Sequence, residues 1–343
     1  MKFLFYISKK YSIPIIQPLA EYLNTTEHEY ALFVSQKVLN NLPSDLTGKP
    51  IFTSVREAQK FRSDFVLVPG NFVDFRLPGI KVEIFHGLGV EKPSHYKIRH
   101  FFDCYCTSGP FVTARFLELQ KKFKYFHVLE TGWPKVDHIL NFSQTAIPAI
   151  PFDKKVILFA PTHSRKMQSA TELMDVIPQI ARDDEFWLIK FHELMNKELI
   201  ATFRHKMPFN TLFIDDYDIT PYLYAADVLI SDTSSVLYEF MLLDKPVITF
   251  RTQSRPDKGI DIDDPVMLRD VLDWSLQNPG FQSQNRHEHL DEINPQRDGK
   301  ICENLIGQLL LHKPELEQVK KPVNLFRKMQ VICHEHFRRG YLR

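Results

Sequence analysis

The sequence predicts an α/β protein of two doubly wound, Rossmann-like domains, each a parallel sheet covered by helices, facing one another across a cleft. Three observations predict it. Short β-type apolar runs alternate with amphipathic helical stretches up to about residue 140. A proline-punctuated segment without periodicity, Ser143-Gln144-Thr145-Ala146-Ile147-Pro148-Ala149-Ile150-Pro151, then interrupts the pattern, and beyond it the same alternation starts afresh. With 343 residues, 44% of them hydrophobic, the chain is long enough for two domains of about 150 residues. The expected division is 1–145, 153–312 and a basic amphipathic helix over 313–343.

In the first domain, residues 3–7, 30–34, 64–68 and 82–85 read as strands, and 15–23 and 111–122 as helices. Ligands of such sheets bind beyond the C-terminal ends of the strands. Two loops there stand out, Pro69-Gly70-Asn71 and His86-Gly87-Leu88-Gly89. A histidine directly after a buried strand, with glycine next to it, presents an imidazole at the sheet's edge and leaves room for a ligand. It is also what an ordinary polar loop residue looks like.

In the second domain, residues 156–160, 186–191, 212–214 and 246–250 read as strands and 171–181, 197–206 and 220–225 as helices. Between the helix 220–225 and the strand 246–250 comes Asp227-Val228-Leu229-Ile230-Ser231-Asp232-Thr233-Ser234-Ser235, followed by an apolar run through Leu243. It reads as strand, turn and buried helix. Such a turn suits a phosphate, although Ser234 or Ser235 as a plain N-cap explains it equally well. Each strand here ends in polar residues: Thr162, His163 and Arg165 after the first, Lys190 and His192 after the second, Asp216 after the third, Ser231 to Ser235 after the fourth. Their cations and hydroxyls, converging on one rim, describe a diphosphate pocket, with Glu239 a turn into the helix as a ribose acceptor.

Beyond residue 264 the chain reads as helical at 266–275 and 300–311. The last helix, 323–337, carries Leu325, Phe326, Met329, Ile332 and Phe337 near one face, with Lys320, Lys321, Arg327, Lys328, Arg338, Arg339 and Arg343 around it. It can dock on the first domain, lie on an anionic membrane, or do both.

Several function classes lack their signatures. A formal charge of +1, from 43 basic and 42 acidic residues, gives no reason to expect nucleic-acid binding. There is no HExxH, GxSxG, Walker loop or GxGxxG, so no metal and no cofactor is expected. The four cysteines, Cys104, Cys106, Cys302 and Cys333, form no framework and read as free thiols of a cytoplasmic protein. The opening apolar run is too short for a signal peptide and fits a first strand, and no stretch approaches the roughly 20 apolar residues of a membrane span.

An ordered series of motifs resembles the CDP-glycerol glycerophosphotransferases of teichoic-acid and capsule synthesis. It runs through His86-Gly87, Thr131-Gly132-Trp133-Pro134-Lys135-Val136-Asp137, Ile157-Leu158-Phe159-Ala160-Pro161-Thr162, Lys190-Phe191-His192, and the stretch from Tyr222 to Ser235 continuing to Leu243-Asp244-Lys245-Pro246-Val247. Where that family follows its His-Gly almost at once with proline and lysine, Leu88-Gly89-Val90-Glu91 here precedes Lys92-Pro93. The resemblance implies a glycosyltransferase-B (GT-B) fold, with an acceptor-side first domain and a donor-binding second domain. It implies transfer of a glycerol-phosphate or related polyol-phosphate unit from a CDP-linked donor to an acceptor hydroxyl of a polysaccharide or lipid-linked chain. The expected location is cytoplasmic, with peripheral contact at the inner face of the cytoplasmic membrane left open by the terminal helix. His86 would be the general base, with Gly87 beside it, and His192 and the Ser231 to Ser235 turn would hold the diphosphate. A GT-B glycosyltransferase or nucleotide-sugar epimerase using a UDP- or CDP-linked sugar is the alternative.

Overall fold

The computed structural model describes residues 1–143, 150–151, 153–164 and 167–334. The chain forms two compact units: Met1–Gly87, Tyr96–Asn141 and Glu292–Arg343 make the first, and Leu88–His95 and Phe142–Asp291 the second. This differs from the expected division at two places. The segment after His86-Gly87 belongs to the second unit, and the helices beyond Glu292 belong to the first. Most of the expected linker, 144–149, lies outside the described residues.

The first unit holds β1 (Lys2–Ile7), β2 (Glu29–Val34), β3 (Ile51–Phe52), β4 (Phe65–Val68), β5 (Ile80–Glu83), β6 (Cys104–Thr107) and β7 (His127–Glu130), in the order β3-β2-β1-β4-β5-β6-β7 and all parallel. The central strands are apolar runs buried throughout, as parallel strands covered on both faces must be. β3, β6 and β7 escape the sequence reading because they are short and because β6 hides in a Cys-Tyr-Cys-Thr run with no alternation. The strand expected at 82–85 ends two residues early, since Phe85 adopts a left-handed φ of 58° that extended backbone does not continue through.

The motif Thr131 to Asp137 is what brings the returning chain home. Trp133 N donates to Asn294 Oδ1 at 3.0 Å, and the buried Asp137 carboxylate accepts from Ile301 N at 3.1 Å and Cys302 N at 2.8 Å, capping the helix Ile301–Leu311. Burial raises the Asp137 pKa, and those same hydrogen bonds oppose the shift. That helix packs on Ile13–Asn24 and Lys135–Leu140. The last described helix, Leu325–His334, also belongs to the first unit, but not by the apolar face expected to dock. Val331 is buried and Arg327 lies over the Phe72 ring at 4.4 Å, whereas Leu325, Phe326 and Met329 are 69%, 73% and 64% exposed. Phe337, Arg338, Arg339 and Arg343 lie outside the described residues.

The second unit holds β8 (Lys155–Phe159), β9 (Glu185–Ile189), β10 (Thr211–Phe213), β11 (Val228–Ser231), β12 (Val247–Phe250) and β13 (Ile260–Ile262), again all parallel, in the order β10-β9-β8-β11-β12-β13. Strand order reverses between β8 and β11, the place where a doubly wound sheet opens to ligand. The expected helix 171–181 is two single turns, Ala170–Leu173 and Ile177–Ile180, because Pro178 starts a helix more readily than it continues one. The helix Ser283–Ile293 has almost no apolar stripe, so its periodicity is silent. Its buried Arg286 holds Asp244 at 2.9 Å.

Gly132 turns with φ 81°, and a Cβ there would meet Ile301 Cγ1 at 2.8 Å. Gly132→Ala is therefore expected to cost about 3 kcal/mol, combining left-handed strain with overpacking. Urea unfolding monitored by circular dichroism measures it, and an unchanged midpoint would refute the clamp.

Candidate functional site

In the second unit the ends of β8 and β11 are joined by one buried carboxylate. Asp232 accepts from Thr162 N at 2.9 and 3.1 Å and from Ser169 N and Oγ at 2.9 and 3.0 Å, with no solvent exposure. Burial raises its pKa, and these bonds together with the charge of Lys92 act against that shift. Beside it, Ser231 Oγ donates to Ala160 O at 2.6 Å, and Thr233 Oγ1 accepts from Gln253 N at 3.1 Å. These three side chains, expected to face a ligand, are instead committed to holding the rim. Ser234 and Ser235 remain half-exposed. Ser235 occupies the N-cap of the six-residue helix Val236–Met241 with αR backbone and no capping side-chain bond, so neither serine is spent as the expected cap.

The two histidines meet. His163 and His192 stack with ring centroids 4.0 Å apart and planes at 30°. His192 is exposed, and its Nδ1 accepts from Leu194 N at 3.1 Å, which leaves the ring proton on Nε2 as a donor. Burial, and then the charge of Lys92, lower the His163 pKa, so its ring is neutral near pH 7. His163 Nδ1 is buried and has no hydrogen-bond partner among the described residues. Cavities of 790 and 270 Å³ flank the pair, His163 lining the larger and His192 the smaller.

Lys190 and Asp216 hold each other's loops rather than an open pocket. The Lys190 ammonium donates to Ile214 O at 3.3 Å and to Asp216 O, and the Asp216 carboxylate accepts from Tyr222 Oη. Glu239 is buried, 6% exposed. Arg165 lies outside the described residues. Sequence reasoning missed two residues of the segment after Gly87. Lys92 Nζ lies 3.2 Å from Thr162 Oγ1, and the Glu91 side chain, 7% exposed, accepts from Tyr238 Oη and from Lys258 Nζ at 3.2 Å. Nothing in the local pattern announces them, because their partners lie 70 or more residues away.

In the first unit, strand order reverses between β1 and β4. Near that point His86 is exposed, its ring 5.4 Å from that of Tyr11, while Gly87 is buried. A side chain at Gly70 would meet Tyr11 Oη at 3.5 Å and Ser8 Oγ at 3.7 Å. His86 owes its presentation to the left-handed Phe85, whose carbonyl accepts from Trp133 Nε1 at 3.2 Å and whose ring packs edge-on against Phe116 at 5.3 Å. Burial pushes the Glu83 carboxyl up to about 8, against the opposing charge of Arg99, so the strand leading to His86 carries a neutral acid near pH 7.

Comparison with known proteins adds to this geometry. Residues 89–264 match the sequence profile of the family described as CDP-Glycerol:Poly(glycerophosphate) glycerophosphotransferase. A teichoic acid poly(ribitol-phosphate) polymerase of Bacillus spizizenii is 27% identical over 221 residues, covering 55% of this chain and 34% of the relative. The chain thus spans about a third of the length of the curated relatives it matches first. Among solved structures, the wall teichoic acid polymerase TagF superposes with a TM-score of 0.65 at 17% identity, over 92% of this chain and 90% of that one. The Staphylococcus aureus MnaA–UDP structure superposes with 0.63 at 15% identity, over 94% and 98%. These likenesses establish a GT-B type fold.

Asp232→Ala would strand two buried N–H groups and a hydroxyl, and an unfolding free energy lower by about 3 kcal/mol is expected in chemical denaturation. Wild-type stability in that variant would return Asp232 to a ligand-facing role.

Proposed function

The chain belongs to the CDP-Glycerol:Poly(glycerophosphate) glycerophosphotransferase family, and from that premise we propose that it transfers a polyol-phosphate unit from a CDP-linked donor to an acceptor hydroxyl in teichoic-acid synthesis. The observation that carries the reading is the group at the β8–β11 switch point: the stacked His163 and His192, with the half-exposed Ser234 and Ser235 beyond the braced strand ends. Imidazole N–H, hydroxyl and cationic donors at such a place suit a diphosphate. Family membership favours glycerol as the polyol, and the B. spizizenii relative makes ribitol the competing one.

In the reaction, the acceptor oxygen attacks the phosphorus that bears the polyol, and the P–O bond to CMP breaks. The proton of the acceptor hydroxyl passes to His86 and the electron pair leaves with CMP. Donors of the second unit offset the charge that grows on the departing phosphate. A neutral imidazole suits the proton transfer near pH 7. The expected result is CMP release from CDP-glycerol or CDP-ribitol in the presence of a polyol-phosphate acceptor. His86→Ala is expected to lower kcat about 10²- to 10⁴-fold while donor affinity stays within a few-fold. Undiminished turnover would remove His86 as the base, and release of UDP from a UDP-sugar instead would favour the epimerase or glycosyltransferase reading.

We further propose that Leu325–His334 rests on an anionic membrane. No helix among the described residues is long and apolar enough to cross a membrane. The support for surface contact is the outward row of Leu325, Phe326 and Met329, with the exposed Lys320 nearby. Flotation with phosphatidylglycerol vesicles should carry the wild-type chain and lose most of a Leu325→Ser, Phe326→Ser double variant. Equal flotation of the two would exclude this helix as the contact.

A further inference from the structure

Lys92 is a half-buried cation without a close counter-charge among the described residues. Among the described residues its ammonium has one hydrogen-bond partner, Thr162 Oγ1 at 3.2 Å, and no carboxylate within 4.0 Å. An ammonium carries three donors, and a cation partly withdrawn from water is costly to leave unpaired. The nearest acidic group in charge terms, Asp232, is saturated by the N–H groups of Thr162 and Ser169. Glu91, next in the chain, is turned the other way, to Tyr238 and Lys258, with Arg255 at 4.0 Å. That anchor pins the backbone of the segment, so Lys92 is held at the end of β8 by its neighbour rather than by an ion pair of its own.

Two imidazoles lie beside it. His163, one residue beyond Thr162, has a buried unpartnered Nδ1 among the described residues and feels the charge of Lys92, and the His192 ring lies on it with a proton on Nε2. A cation with no carboxylate within 4.0 Å among the described residues, next to two imidazoles at the switch point of a parallel sheet, makes a place suited to an anion. We infer that Lys92 is a further anion-binding residue of the donor site, its ammonium paired with the diphosphate of a bound nucleotide donor and positioned by Glu91 and Thr162. The inference rests on the donor-site reading of the second unit and adds a residue to it. Burial lowers the Lys92 pKa and the charges of Asp232 and Glu91 oppose that, which agrees with a cation in want of a partner.

Titration calorimetry with inorganic pyrophosphate and with CDP tests it on the wild-type chain, Lys92→Met and Lys92→Arg. The expected result is binding of both ligands by wild type, weakening by about tenfold or more in Lys92→Met, and recovery to within a few-fold in Lys92→Arg. A merely structural contact with Thr162 would shift the melting temperature and leave affinity alone. Equal affinities in wild type and Lys92→Met overturn the inference and leave the donor reading standing. A wild-type chain that binds neither ligand overturns both. Should Lys92→Met fail to fold, Lys92→Gln is read in the same way.

Discussion

The second unit turns on a carboxylate that water does not reach. Asp232 gathers the N–H groups of Thr162 and Ser169 and the Ser169 hydroxyl, and so fixes the strand end at Thr162, the turn after β11 and the start of the helix Ala170–Leu173 relative to one another. A buried acid in that position is tolerable because several donors answer it, and two of them are backbone groups that burial would otherwise leave unsatisfied. Without that knot, the histidines that follow β8 and β9 would have no fixed floor to stack above.

The first unit solves a similar problem by different means. Its chain leaves at Asn141 and returns at Glu292, and the return is held through hydrogen bonds from the Thr131 to Asp137 motif. Trp133 serves twice: its backbone N–H takes Asn294, and its indole N–H takes the carbonyl of Phe85, the residue whose left-handed backbone exposes His86. A fold-bearing tryptophan thus also sets the attitude of the loop carrying the imidazole.

Most residues of the family motifs turn out to be structural in this way. Lys245 donates to Leu223 O at 3.2 Å, to Tyr224 O and to Ala226 O, closing the C-terminus of the helix Thr220–Ala225. Ser231 and Thr233 tie strand ends to neighbouring loops. The groups proposed to meet a ligand are His163, His192, Ser234 and Ser235, together with Lys92. Polar residues clustered after a strand therefore divide between those that build the rim and those that use it, and only their hydrogen-bond partners tell which is which.

By itself the sequence determined the α/β class, the restart of the pattern after residue 143, the strand ends where polar groups gather, and the family. Each of these is written in local periodicity or contiguous motif, and local pattern needs no tertiary contact to be read. Tertiary structure alone decided that Asp232 and Ser231 face inward, that residues 88–95 and 292–334 join the units they do, that Lys92 reaches Thr162, and that Phe326 faces out. The physical reason is the same in each case: a side chain's partner is chosen by geometry across tens of residues, and neither propensity nor spacing carries that information.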